Sequence, residues 1–353
     1  MSVRSVLIVA PDNPGASTGN EVSVARLQSG LRRRALEATV CRPGECDECD
    51  EDRVTPGLVH GFHARRTGPA ALACARRLKR PFVLTLTGTD TDLDMFDAER
   101  RAEVERVIRQ ADAVICGHAG ARQAAAALRG SGDGVFVAPK GVLVPDPLPA
   151  PVVREAGRIV VLIVAHVRPV KNVELAVEVV GELQQQGFPI DLWVLGDVLD
   201  EAYAEALQAA AGGATAWSQI LRPAVAAGAV GPWYAAADIV LNTSHGEGGS
   251  NAVLEAMAHG CAVVGSAIPG NAQYLGVDAA RGLLYPVEVQ PDGAVHHDAQ
   301  ALGETLLGLA TDTERREELG RAAREWVRVA HDPELEIDGV LEAYAYAIAS
   351  AGR

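Results

Sequence analysis

The chain has 353 residues, of which 48% are hydrophobic and 22% charged, and its formal net charge is −14. That length suits two ordinary domains with a core each. The charge opposes non-specific binding to nucleic acid or to an anionic membrane, since both need a positive field.

No apolar run reaches the ~18–20 residues that span a bilayer. The N-terminus is a short apolar strand that ends in PDNPG, without the long apolar core and cleavage site of a signal peptide. A cytoplasmic globular protein without a transmembrane segment is the expectation. SVLIVA (5–10) is β-branched and ends in a turn, hence a strand. The following helix is marked by Val22, Ala25, Leu27 and Leu31 at helical spacing. ATVCR, GLVHGFHARR, PFVLTLTG, AVICG and GVFVAPKG are further strands, separated by helical or turn-rich sequence. This alternation predicts a parallel sheet covered on both faces.

VLVPDPLPAPVV (142–153) carries four prolines and reads as a domain boundary. The alternation then restarts. RIVVLIVAHVRP, IDLWVLGD, DIVLNTS, CAVVGSA and GLLYP are the strands. VELAVEVVGELQQQG, EAYAEALQAAAGG and NAVLEAMAHG are helices, and the tail after Thr311 reads as two more. The predicted architecture is α/β, with two Rossmann-like doubly wound domains facing a central cleft. Ligands in such folds bind at the carboxyl ends of the strands.

Six cysteines are present. Cys74, Cys116 and Cys261 lie in apolar surroundings and read as small core residues. Cys41, Cys46 and Cys49 lie in the acidic segment CRPGECDECDED. Cys46 and Cys49 form half of a zinc-type pattern, but no second half is near, so the segment reads as an exposed, reduced loop.

The most informative stretch is TSHGEGGSNAVLEAMAHG (243–260). Its loop follows a strand and runs into a helix, whose first turn offers N–H groups and the positive end of the dipole. Gly248 and Gly249 admit a ligand to the backbone beside Ser250 and Asn251, so the turn suits a phosphate. A carboxylate so near would repel phosphate, so Glu247 and Glu255 should bond hydroxyls instead. That points to a sugar nucleotide, with Glu247 on the sugar and Glu255 on the ribose. The alternative is an N-cap region with two surface acids. In AHVRPVKN (165–172), Arg168 and Lys171 follow a strand and open a helix. They supply the local positive charge that an acidic chain needs for gripping a diphosphate and stabilising it as a leaving group.

VRPVKN paired with EGGSNAVLEA, then GNAQYLG and GLLYP, resembles the retaining family 4 glycosyltransferases of GT-B fold. The resemblance is most specific from Val161 to Pro286. It implies a donor-diphosphate role for Arg168 and Lys171, donor-sugar and ribose roles for Glu247 and Glu255, and a glycine loop in which Gly15, Gly19 and Asn20 lie near the donor phosphate. It also implies an acceptor domain (1–146), a donor domain (152–325) and C-terminal helices (326–353) that pack back on the first. HARR, TGTD, VRPVK and IPGN together look like the selenosugar synthases of selenoneine biosynthesis and the animal glycosyltransferase 1 domain-containing proteins.

HARRT (63–67) and LTGTD (86–90) each follow an apolar run and should lie on the cleft. His63 is a candidate to orient sugar or acceptor, or else a structural histidine. Arg65 and Arg66 suit a small anionic acceptor. Thr89 and Asp90 are acceptor candidates, and Asp90 is alternatively a helix cap. His60, His118 and His166 have weaker claims. Asp90-Thr91-Asp92 matches a metal-binding triplet of another glycosyltransferase architecture. Here Arg168 and Lys171 already neutralise the diphosphate, so no metal or other cofactor is expected. The activity expected is transfer of a hexosyl group from a nucleotide sugar, UDP-linked, to a small acceptor with retention. One form joins a UDP-sugar to selenophosphate. The rival readings are a non-catalytic nucleotide or sugar-phosphate binding protein and a nicotinamide oxidoreductase. The second lacks G-x-G-x-x-G after its first strand.

Overall fold

The computed structural model describes residues 4–11, 19–48, 56–88, 90, 94–291 and 293–351. The chain divides into two compact units, one of Met1–Gly141 with His331–Arg353, the other of Val142–Ala330. The first begins with β1 (Ser5–Val9), α1 (Gly19–Arg33), β2 (Glu37–Cys41), β3 (Leu58–Phe62) and α2 (Gly68–Leu78). It continues with β4 (Phe82–Thr85), α3 (Ala98–Gln110), β5 (Ala113–Cys116), α4 (Ala119–Arg129) and β6 (Val135–Val137). The strands lie in the order β2-β1-β3-β4-β5-β6 and every ladder is parallel.

Alternation along each strand divides the core. Leu7, Val9, Val59, Leu84 and Val114 face Leu72, Leu78, Val107 and Ile108 of α2 and α3. Val6, Ile8, Leu58, Val83 and Ile115 face Leu27 and Leu31 of α1 on the other side. Each such side chain contributes roughly 1.5–3 kcal/mol on burial.

The second unit contains β7 (Ile159–Val164), α5 (Val173–Gln185), β8 (Ile190–Leu195), α6 (Glu201–Ala210), α7 (Ala214–Ile220) and β9 (Leu221–Arg222). Then come α8 (Gly231–Ala236), β10 (Ile239–Asn242), α9 (Asn251–Ala258), β11 (Ala262–Ser266), α10 (Pro269–Leu275) and β12 (Leu283–Tyr285). It ends with β13 (Val287–Val289), β14 (Val295–His297), α11 (Ala299–Thr311) and α12 (Thr313–Ala330). Its parallel sheet has the order β12-β11-β10-β7-β8-β9, and β13 and β14 form an antiparallel pair. Short β9, α8 and the β13–β14 pair carry too little periodicity to be read from sequence.

The last helix, α13 (Pro333–Ala351), belongs to the first unit. Ile337, Val340, Ala343 and Tyr344 cover the same sheet face as α1. A bidentate pair holds it there: Glu336 accepts from Arg26 Nε at 2.6 Å and Arg26 Nη2 at 3.0 Å, and also from the Gly141 N–H at 3.1 Å. These side chains are 19% and 12% exposed, whereas Glu334, on Arg33 and Arg34, is 48% exposed. Glu336→Ala is therefore expected to cost about 3 kcal/mol, because it breaks a largely buried ion pair. Glu334→Ala costs about 0–1 kcal/mol. Denaturant midpoints of the two variants check the contrast.

The described part of the acidic cysteine segment, residues 41–48, is not an exposed loop. Cys41 ends β2 and Cys46 lies in a 3-10 turn, Pro43–Glu48. Both are buried in the core that also holds Cys74. Glu45 between them is exposed while both thiols point inward, so composition alone misleads about this segment. Cys49 lies outside the described residues.

Candidate active site

The second sheet reverses its winding between β7 and β10, since β8 and β9 extend it on one side and β11 and β12 on the other. The loops leaving these two strands border that crevice, where open α/β sheets bind ligands. After β7 comes a 3-10 turn, Pro169–Lys171, and Asn172 breaks it from α5 with a left-handed φ of 46°. Arg168 and Lys171 thus belong to a turn and its cap, not to the first turn of a long helix. After β10 comes the loop 243–250, and Ser250 caps α9 by accepting from the Val253 N–H.

The two loops are tied together. Thr243 Oγ1 donates to the Lys171 carbonyl at 2.8 Å, and the His245 N–H donates to the Val170 carbonyl at 2.9 Å. Lys171 Nζ lies 2.5 Å from Glu247 Oε1. The same oxygen accepts from Ser244 Oγ at 2.8 Å and Asn242 Nδ2 at 3.3 Å. All three bonds fall on Oε1, so Oε2 keeps its acceptor capacity. Burial pushes the Glu247 carboxyl up. The Lys171 ammonium and the Ser244 and Asn242 hydrogen bonds outweigh it and hold the group below the usual carboxylate range.

A further layer fixes Asn242. Asn271, fully buried, donates from Nδ2 to Asn242 Oδ1 at 3.2 Å and to the Ser266 carbonyl at 3.1 Å. Gly270 presses on the loop itself, and a methyl group there would overlap the Glu247 carbonyl. Gly249 has φ 118° and lies against the Tyr274 hydroxyl. Beyond it, Glu255 Oε2 accepts from the Tyr234 hydroxyl at 3.0 Å. A small, partly open pocket lies among Ala165, Lys171, Asn242, Ser244 and Val253. Gly248, Gly249, Ser250, Asn251 and Glu255 thus line one loop and helix start. Asn242, Ser244, Tyr234 and Asn271 do not stand out in the sequence. The polar triplet Asn242-Thr243-Ser244 at the end of an apolar strand is the signal that points to two of them.

In the first unit, His63 follows β3 and carries a left-handed φ of 82°. That conformation is unfavourable for a non-glycine residue. It is held because Nδ1 accepts from the Arg65 and Arg66 N–H groups at 3.2 and 3.3 Å. The lone pair on Nδ1 places the neutral proton on Nε2, 3.9 Å from Asp94 Oδ2. Burial lowers the His63 pKa, opposed by Asp90 and reinforced by Arg66.

Asp90 is also fully buried. It accepts from the N–H groups of Ala64, Thr87 and Gly88 at 2.8–3.2 Å, so it binds two loops together. Arg65 Nε donates to Asp94 at 3.0 Å, and Arg66 is exposed. Gly19 and Asn20 open α1. Asn20 lines an open pocket with Phe62, Thr85, Thr87, Lys140 and Val340.

His63→Asn is expected to fold, since Asn tolerates φ > 0 and its amide oxygen can receive the same N–H groups. His63→Ala has neither property and should lose about 2 kcal/mol. Thermal melts of the pair separate the ring's structural role from any chemical one.

Gly15, Thr89, Thr91 and Asp92 lie outside the described residues. His60 is a core histidine between Tyr344 and Thr85, each at 2.7 Å, and burial lowers its pKa to about 3. His118 caps α4 through Nδ1. His166 Nδ1 lies 3.6 Å from Asp197 Oδ2. Among the described residues no group of three or more His, Cys, Asp or Glu side chains is placed to hold a metal ion. No helix among them is long and apolar enough to cross a membrane.

Residues 158–312 match the family described as Glycosyl transferases group 1. No curated protein sequence matches the chain. Among solved structures, the chain is similar to Anabaena Alr3699/HepE in complex with UDP and glucose. That likeness has 14% identity and a TM-score of 0.77, and covers 98% of this chain and 100% of that one. It is also similar to sucrose-phosphate synthase from Thermosynechococcus elongatus, with 17% identity, a TM-score of 0.78 and coverage of 98% and 99%. A glycosyltransferase from Rickettsia africae has 15% identity, a TM-score of 0.69 and coverage of 98% of each chain. At these identities the likeness is one of fold. Residues 158–312 thus match a group 1 glycosyl transferase domain, the chain has the GT-B fold of these neighbours, and the matches together support a transferase.

Proposed function

We propose that the protein transfers a hexosyl group from a UDP-linked sugar to a small acceptor with retention and without a metal cofactor. One observation carries this reading. Glu247 is a buried carboxylate pinned through Oε1 by Lys171, Ser244 and Asn242, with Oε2 left to accept a sugar hydroxyl. The pairing keeps Glu247 ionised beside a phosphate, where an unpaired acid would repel it. Lys171 has three donors, so it serves Glu247 and a diphosphate oxygen together. Arg168 and the α9 N-terminus add positive potential. These groups act when the bond from the anomeric carbon to the diphosphate oxygen breaks and charge grows on the leaving group. In a front-face reaction the acceptor oxygen bonds to that carbon and its proton passes to the leaving phosphate. No second carboxylate is then required.

Glu255 serves the ribose of the donor. Gly15, Gly19 and Asn20 are the first-unit candidates for a donor-phosphate role. His63 and Arg66 serve the acceptor together with Thr89, and Asp90 acts through the loops it ties. An exposed Arg66 guanidinium favours a small anion, selenophosphate among them. The structural neighbour solved with UDP and glucose supports a UDP-sugar as the first donor to try.

The test is a mass-spectrometric screen of uridine- and guanosine-linked sugars, each with and without selenophosphate. Release of the nucleoside diphosphate is expected with a uridine donor. Nucleotide binding without turnover of any donor would overturn the reading.

A further inference from the structure

We infer that His297, on the β13–β14 hairpin, is a positioning residue for the donor loop, acting through His245 on the backbone that carries Glu247. This inference rests on the donor reading of Glu247 given above. His297 stands between two partners. Its Nδ1 lies 2.8 Å from the Tyr285 hydroxyl and its Nε2 lies 3.0 Å from His245 Nδ1. The two imidazoles meet edge to face with centroids 4.9 Å apart. Tyr285 ends β12 and is fully buried, so the far end of this chain is anchored in the sheet. The near end is His245, two residues before Glu247, whose backbone N–H is bound to the Val170 carbonyl in the Lys171 turn.

The physical need follows from sequence. The loop contains Gly246, Gly248 and Gly249 around Glu247. Such a segment has high conformational entropy when unanchored. The backbone bond from His245 fixes it on the inner side, and the ring bond to His297 fixes it on the outer side.

The hydrogen-bond chain is also directional. Burial, with a smaller effect from His245, lowers the His297 pKa to about 4, so the ring is neutral at pH 7. Burial raises the Tyr285 phenol, which keeps its proton. A neutral imidazole has one N–H and one lone pair. Either Tyr285 donates to Nδ1 and Nε2–H donates to His245, or both bonds run the other way. In both arrangements the two ring edges of His297 are engaged, and its rotation breaks both bonds.

Two variants test this. His297→Phe keeps a flat ring and removes both hydrogen bonds. His297→Gln keeps a side-chain amide able to reach one partner. The first measurement is nitrogen NMR of the histidine rings with the backbone amides of His245 and Glu247, in protein without ligand. His297→Phe should shift the His245 ring and both amides. The second measurement is UDP binding by calorimetry beside UDP-glucose hydrolysis. The donor turnover number should fall about tenfold in His297→Phe while UDP affinity changes less than about threefold. His297→Gln should recover part of the loss. Unchanged His245 and Glu247 signals would overturn the inference. So would equal losses of UDP binding, turnover and melting temperature, which mark a merely structural hairpin. A wild-type protein that binds no UDP overturns the donor reading instead, and the NMR arm still decides the coupling.

Discussion

Glu247→Ala should lower donor turnover by about 10²–10³-fold, the loss that follows removal of a preorganised group at a reacting centre. The same change leaves the Lys171 ammonium, 16% exposed, without its carboxylate. Breaking one side of a largely buried pair costs about 3–5 kcal/mol, so stability must be measured beside activity. Lys171→Met mirrors it by stranding Glu247. The double variant Lys171→Met/Glu247→Ala removes both charges and should be more stable than Lys171→Met alone. That non-additivity marks direct coupling. If the single losses simply add, the pair is not coupled as its geometry requires.

The pH dependence has a defined sign. The folded Glu247 carboxyl lies below its ordinary 4.5, because the lysine and the two hydrogen bonds outweigh burial. A depressed acid contributes stability that is present above the unfolded value and lost as pH falls through the folded one. The wild type should therefore lose stability relative to the double variant only below about pH 4.5.

Gly270→Ala should abolish activity and cost about 3 kcal/mol or more, although it adds a single methyl group. The new carbon would overlap the Glu247 carbonyl and crowd its Cβ. Those are backbone atoms and the root of a side chain, so no rotamer change relieves the contact. Either α10 moves away from the loop or the loop moves, and Glu247 leaves its position on Lys171. Gly308→Ala in α11 is the control, because a methyl there meets nothing within 4 Å. It should stabilise by about 0.5–1 kcal/mol through helix propensity. Denaturant midpoints and donor turnover on both variants check the contrast. Normal turnover in Gly270→Ala would show that the loop tolerates displacement.

Much of the second unit is legible in the amino-acid sequence. The runs IVVLIV, IDLWVL and IVLN are β-branched and continuous because parallel strands are buried on both faces. The loop at 243–250 is legible too, since glycines, a cap serine and a helical run stand in order. Distant partners are not legible. Asn271 supports Asn242 across 29 positions, and His297 reaches His245 across 52. Nothing local to either residue encodes such a meeting. The burial of Cys46 is hidden for the same reason: its neighbours are acidic, yet the turn aims its thiol into the core.

By itself the sequence determined the alternation of strands and helices, the glycine loop after β10, and the charges on Arg168, Lys171, Glu247 and Glu255. Periodicity and turn chemistry are local, and a chain writes local preferences openly. Only the tertiary structure decided that Lys171 pairs with Glu247, that Asp90 is a buried tie, and that Tyr234 takes one oxygen of Glu255. Those outcomes depend on which strand ends meet at the edge of each sheet and on which helices cover them. Burial and hydrogen bonding between segments far apart in sequence arise only when the sheets assemble.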